Sequence, residues 1–344
     1  MSTDSHLSAG SQRTVVRLSE VSAQVLVMLG LLVALMALTG WWDPNFLSRF
    51  SLRSVARDVA IWSLFALGQA VVIISGGIDL SVGSLICFLG VLTITFVNAG
   101  LPVMLTLLLI MLIAAAIGTM YGMLIGRLSL QPFLVTLCSL LTFRGLARVL
   151  THDQTVSFNA AEQPLFRLLG AGMWWGIPLP VYILAAVLVP LALFMHCTVP
   201  GRYLYAIGSN SEAARYSGVR INVLRTSSYV LSAVLTAIAA VLEAADVGSV
   251  PPSSAGQAYE MYGITGAVLG GCALRGGQGS LLGVVIGMAI LRVIKSAVIF
   301  LGISTYWTFA VTGLVLLGGV IVDSLIRRQR EMSIRGDHSH VRNC

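Results

Sequence analysis

The chain has 344 residues, 57% of them hydrophobic and only 10% charged, with a mean hydropathy of +0.90. No soluble domain of this length hides so much apolar surface, so composition excludes a soluble globular protein and predicts a polytopic membrane protein. The net charge of +7 does not mark a nucleic-acid binder, because the basic residues fall in loops and tails between apolar runs and not along one face.

Residues 1–21 are polar and carry Arg13 and Arg17, which makes them a cytoplasmic tail. The apolar stretch after them lacks a small-residue cleavage site and reads as a retained first span. Apolar runs of near-membrane length fall at 22–40, 59–75, 82–97, 102–126, 133–150, 178–198, 223–245, 260–273, 281–300 and 305–323. The expected fold is all-α, a polytopic transmembrane bundle of about ten spans with some helices short or broken. The membrane domain runs over 22–326, and 327–344 forms a second basic cytoplasmic tail.

With both termini inside, thirteen arginines face the cytoplasm and six, Arg49, Arg53, Arg57, Arg144, Arg148 and Arg167, face outward. Arg292 and Lys295 fall within a span. The spacing of Arg49, Arg53 and Arg57 places them on one face of an amphipathic helix entering the second span. Between spans two and three runs Ser75-Gly76-Gly77-Ile78-Asp79-Leu80-Ser81-Val82-Gly83-Ser84. Two readings stand: a helix break beside a translocation path, or a tight turn in which Asp79 or Ser81 caps the next helix.

Gly118, Gly122 and Gly126 repeat every fourth residue in span four, and Gly279, Gly283 and Gly287 do so at span nine. Both sets predict close helix packing. Gly83-Ser84-Leu85 also echoes Gly279-Ser280-Leu281, which points to related halves. Residues 151–177 form the longest external segment, and Trp174-Trp175 within it marks the membrane interface. His152 has no second histidine at ligand spacing, and Cys87, Cys138, Cys197, Cys272 and Cys344 are scattered as small apolar fillers. Neither a metal site nor a disulfide frame is expected.

Residues 200–225 are a polar island holding Arg202, Arg215, Arg220 and Arg225. Ser209-Asn210-Ser211 reads as an N-cap to a short helix through Glu212-Ala213-Ala214-Arg215-Tyr216, with Gly218 placed to end it. The helix is either a solvated link between spans or a surface gripped by another protein. Span seven then ends in Glu243 and Asp246, which share one helical face, before Pro251-Pro252, Tyr259 and Glu260. These acids either reach external water or line an outer vestibule where carboxylates accept hydrogen bonds from a solute's hydroxyls.

The stretch Gly201-Arg202-Tyr203-Leu204-Tyr205-Ala206-Ile207-Gly208-Ser209-Asn210-Ser211-Glu212-Ala213-Ala214-Arg215-Tyr216-Ser217-Gly218 resembles the EAA-type loop of ABC importer permeases, specifically the ribose/xylose-type sugar permeases. Gly77-Ile78-Asp79-Leu80-Ser81-Val82-Gly83-Ser84 and the block from Gly256 to Leu282 resemble the same family, so the likeness covers about 45–326 in three separated blocks. It implies a permease subunit carrying a monosaccharide or related polyol across the bacterial inner membrane. The loop at 200–222, through Arg202, Tyr203, Glu212, Ala213, Ala214 and Gly218, would be the coupling helix. Implied partners are a second copy of the chain, an ATPase subunit with two fused nucleotide-binding domains, a periplasmic or surface sugar-binding protein, and membrane lipid. ATP and Mg would be used by that ATPase, with no cofactor in this chain. Asp79, Ser81, Glu243, Asp246 and Glu260 are the candidates along the translocation path.

Two departures from the family pattern stand out: Tyr262, where an acidic or small residue is usual, and Lys295-Ser296 in place of an Asn-Asn pair. Leu274-Arg275-Gly276-Gly277-Gln278 resembles the LSGGQ signature of ABC ATPases, but the chain holds no GxxxxGK[ST], so it reads as a Gly-rich turn and the chain as no enzyme. The rival reading, a secondary ion-coupled transporter, needs coupling acids near the midplane, and only Asp79 is placed for that.

Overall fold

A computed structural model describes residues 25–302, together with Ser304, Trp307, Ala310, Gly313, Leu314, Leu317 and Gly318. The expected tails at 1–21 and 327–344, Cys344, and the tenth span at 305–323 apart from those isolated positions lie outside the described residues.

The first helix, α1 (Val25–Trp42), keeps most of its apolar surface exposed, as a helix facing lipid does. It stops at Asp43, whose carboxylate accepts from the amide of Asn45 at 2.9 Å and starts a 3-10 turn over Pro44–Leu47. Ser48 then caps α2 (Arg49–Ile74) by accepting from Ser51 N at 3.2 Å. The second span therefore begins ten residues before the expected 59, and the three arginines form the first turns of the span and not a separate interfacial helix.

From Ala60 to Ser75 every residue of α2 and its cap is buried. A helix apolar all round belongs in the middle of a bundle, and α2 is wrapped by α7 (Leu179–Cys197), α10 (Ile221–Val247), α11 (Tyr259–Leu269) and α12 (Leu281–Phe300). The second axis is α10, which packs on α2, on α3 (Val82–Asn98), on α4 (Val103–Gly126) and on the short α6 (Pro164–Ala171). Small residues make these crossings. A Cβ on Gly68 would sit 2.9 Å from the Cα of Ser232, and one on Gly118 2.6 Å from that of Val230. Gly122 faces Thr226 more tightly still, and Gly126 lies against Asn222.

Seven described helices are long and apolar enough to cross a membrane: α1, α2, α4, α5 (Pro132–Leu150), α7, α10 and α12. The expected ten spans are corrected at the eighth. The stretch 260–273 is the 11-residue α11 followed by a loop, and 11 residues reach only about 16 Å against the roughly 30 Å of a bilayer core. The third span is the 17-residue α3, also shorter than an ordinary crossing. Both start inside the bundle. The loop from Pro251 to Ala258 dips inward to deliver α11, and Arg144 of α5 donates to the carbonyls of Pro252 and Ala255 within it. Glu260 follows, its carboxylate against the first turn of α3 at Gly83, where a helix N-terminus favours negative charge.

Gly283 and Gly287 seat α12 against Gly270, which ends α11, and Gly266 within it. Gly279 is corrected: it lies in the loop before α12, against Cys272 and Ile74, and takes no part in a helix–helix groove. The echo between 83–85 and 279–281 also dissolves, because Ser280 is the N-cap of α12 and accepts from Gly283 N at 3.2 Å, whereas Ser84 is inside α3.

At one end of the bundle, β1 (Val156–Ser157) pairs antiparallel with β4 (Ser249–Val250), which ties the 151–177 segment to the connection after α10. At the same end β2 (Met173–Trp174) pairs with β3 (Ile177–Pro178) through Trp175 and Gly176, both at positive φ as a tight hairpin requires. Arg53 lies beside Gly176, so the amphipathic start of α2 shares this end. In the exposed turn after α5, the Arg148 guanidinium 2.7 Å from Asp153 holds that carboxyl below its ordinary range. The opposite end carries α8 (Val199–Ser209) and α9 (Ser211–Tyr216). Cys87 and Cys272 are buried, while Cys138 and Cys197 are exposed apolar-face residues.

Candidate functional site

The polar island folds as two short helices. Thr198 caps α8, a helix the sequence reading did not separate from the loop, and Gly201 lets it turn tightly against Phe194 and Met195. Asn210 caps α9, its side chain accepting from Ala213 N at 3.0 Å. The far end closes in a Schellman arrangement: Gly218 N donates to Arg215 O at 3.0 Å and Val219 N to Ala214 O at 3.1 Å, with Gly218 at φ +79°.

A six-residue helix cannot hold itself in water, so the two caps and its packing fix it. Glu212, Ala213, Arg215, Tyr216 and Gly218 are exposed, Tyr216 at 91%, and so are Arg202 and Tyr203 on α8. Ala214 differs. It is 6% exposed and packs into the protein's own core, so it positions the helix and presents no surface to a partner.

Beneath α8, four glycines close a junction. Gly208 crosses the end of α2 at Ile74 and the loop at Gly277, while Gly76 and Gly276 pack around it. Gly277 N donates to Ile74 O at 2.8 Å, and the Tyr205 hydroxyl of α8 donates to Gly279 O at 3.3 Å. The LSGGQ-like stretch is this loop. It joins α8 to both α2 and α12 by backbone contact.

Asp79 and Ser81 lie higher in the bundle and are packed away. Asp79 is 1% exposed, accepting from Ser81 N at 2.9 Å, Ser81 Oγ at 2.6 Å and Ser232 Oγ at 3.1 Å, while Gln69 donates to its backbone carbonyl at 2.6 Å. The turn reading fits this geometry, with Asp79 bonding two residues ahead and the N-cap Ser81 contributing no side-chain cap of its own.

At the other end of α2 a cavity of ≈ 210 Å³ is lined by Asp58, Trp62, Glu243, Asp246, Arg292 and Lys295, among others. Arg57 pairs with Asp246 at 2.7 Å, which ties α2 to α10, and Asp58 pairs with Arg292, which ties α2 to α12. Glu243 accepts from the Tyr259 hydroxyl at 2.6 Å. Trp62 packs against Tyr262 with ring centroids 5.1 Å apart, and the Arg292 guanidinium lies 4.7 Å from its ring centre. A second cavity of ≈ 200 Å³ beside the Pro251 turn shares Glu243, Val247 and Tyr259 with the first. Each is smaller than the roughly 300–1,000 Å³ of a drug-sized ligand pocket.

The structure thus brings Glu243 and Asp246 together in one cavity and sets Glu260, Asp79 and Ser81 apart from it. Sequence reasoning missed Arg57, Asp58 and Arg292 as members of this cluster. The signal was present: basic residues three apart inside an apolar run demand acidic partners from other helices.

A family profile described as branched-chain amino acid transport system / permease component matches residues 51–320. The chain is 33% identical over 294 residues to the ribose import permease protein RbsC of Escherichia coli K12, covering 85% of this chain and 91% of that protein. It is 34% identical to RbsC of Bacillus subtilis, covering 82% and 87%, and 29% identical to the xylose transport system permease protein XylH of Escherichia coli K12, covering 91% and 94%. No solved structure matches.

Proposed function

We infer, from the premise that this chain belongs to the ABC-importer permease family that includes the ribose and xylose permeases, that it is the membrane-spanning subunit of a monosaccharide or polyol importer. The carrying observation is the match over 85% of the chain to a ribose import permease, together with the family profile over residues 51–320. It is a multi-pass protein of the plasma membrane.

Two copies would enclose the pathway, with a double-domain ATPase below and a sugar-binding protein above. The capped, exposed α9 supports the ATPase contact, and Glu212 in its first turn is favoured there by the helix dipole while remaining free to meet a basic residue on the partner. Movement of α8 and α9 would pass through the Gly208 junction into α2 and α12 together. Those two helices carry Arg57, Asp58, Arg292 and Lys295 at the other end, so the outer cluster would open or close as the ATPase engages. Glu243 and Asp246 would lie on the sugar's route. The ion-coupled alternative has no support, since Asp79, its one candidate acid, is held by two serines in a packed turn.

The test is reconstitution in lipid vesicles with an ATPase and a sugar-binding protein encoded beside this chain. Labelled ribose or xylose should accumulate only when all three proteins and ATP are present. Accumulation driven by an ion gradient without ATP would contradict the reading.

A further inference from the structure

Six ionisable side chains meet at the outer end: Arg57 and Asp58 from α2, Glu243 and Asp246 from α10, and Arg292 and Lys295 from α12. Four of them pair off, Arg57 with Asp246 and Asp58 with Arg292. Glu243 and Lys295 are left. Glu243 Oε1 is taken by the Tyr259 hydroxyl, but its Oε2 is buried with no hydrogen-bond partner. Lys295 makes no ion pair within 4.0 Å among the described residues, and its ammonium sits 5.0 Å from the centre of the Trp62 ring. Both line the ≈ 210 Å³ cavity. A buried acceptor without a donor is costly until something supplies one, and the Lys295 ammonium borders the same cavity with no ion pair to Glu243.

We propose that Glu243 and Lys295 form a two-point site for neighbouring hydroxyls of a neutral polyol. One hydroxyl donates to Glu243 Oε2 and the next accepts from Lys295 Nζ. This rests on the sugar-import reading and narrows it. Three cations and three carboxylates balance within the cluster, with Arg167 acting on Asp246 from outside it, so a sugar acid or sugar phosphate would bring in a charge that the cluster itself does not compensate. Trp62 is only 5% exposed, with Tyr262 stacked on it, so it offers no open face to a sugar ring. Recognition here runs through hydroxyls alone, and an open-chain polyol satisfies it as well as a cyclic pentose.

Lys295 is the single lysine of the chain, which gives the site its own assay. The assembled importer, with its ATPase and saturating binding protein, is compared as wild type, Lys295→Met, Lys295→Arg and Glu243→Gln. Wild type should import a pentose at least about tenfold faster than one of its monodeoxy analogues, because a site built to bond a hydroxyl rejects the ligand lacking it. Lys295→Met and Glu243→Gln should narrow that gap to about twofold, and Lys295→Arg should keep most of it. In the wild-type complex, acylation of Lys295 by a small amine reagent should be slowed by millimolar xylitol and not by cyclohexanol or a sugar acid. Wild-type selectivity in Lys295→Met, or acylation indifferent to xylitol, overturns the site and leaves the cavity as a water pocket. Loss of pentose import by the wild-type complex itself would instead count against the import reading.

Discussion

The amide of Gly277 donates to the carbonyl of Ile74 at 2.8 Å, directly under Gly208. That bond joins the last turn of α2 to the loop that leads into α12, and α8 rests on both. A side chain at Gly208 would run into Ile74 O and Gly277 N, which cannot retreat as a flexible side chain would. Gly208→Ala should therefore loosen the junction, lowering sugar uptake several-fold while the ATPase still binds. Full uptake by that variant would remove the junction from the transmission route.

The α4–α10 crossing is set by Gly118 and Gly122 against Val230 and Thr226. Gly122→Leu should destabilise the protein by about 3 kcal/mol or more, because overpacking forces two backbones apart. Yield and thermal unfolding in detergent measure this, and unchanged values would count against the Gly-lined contact.

Arg57 and Asp246 meet at 2.7 Å with side chains 20% and 16% exposed. Asp246→Asn leaves a largely enclosed guanidinium short of its carboxylate, at a cost of about 1–3 kcal/mol after allowing for partial solvent screening. The charge swap Arg57→Asp with Asp246→Arg should restore much of the lost stability. A swap no better than the single variants would mean that the pair contributes nothing through its charges.

Topology gives a fourth test. Ser211 and Asn159 lie at opposite ends of the bundle. In a cysteine-free background, Ser211→Cys should react with an impermeant thiol reagent only in inverted vesicles, and Asn159→Cys only in intact cells. Labelling of position 211 from outside would invert the orientation.

Much of this architecture was legible because hydropathy and capping are local. The span at 102–126 emerged as Val103–Gly126, and the Asn210 cap and Gly218 stop of α9 follow from side-chain chemistry within ten residues. What stayed hidden depends on contacts distant in sequence. Arg57 reads only as part of an amphipathic helix face until Asp246, 189 residues away, is seen beside it. The half-length α11 reads as a span because Ile264, Val268 and Leu269 make the stretch apolar, whereas Gly263 packs closely on α2 and Gly266 and Gly270 on α12. Ala214 looked like its neighbour Ala213, and only the fold shows that one faces inward and the other outward.

The exposed face of α9 is the contact through which ATP is proposed to drive this permease. Ala213→Trp tests it most directly, since position 213 is exposed and a bulky ring there leaves the Asn210 cap and the core contact of Ala214 in place. Co-purification of the ATPase and ATP-dependent uptake are measured on the same membranes. The expected variant is folded and membrane-inserted, loses the ATPase and takes up no sugar. A variant that retains its ATPase and transports at the normal rate would contradict it.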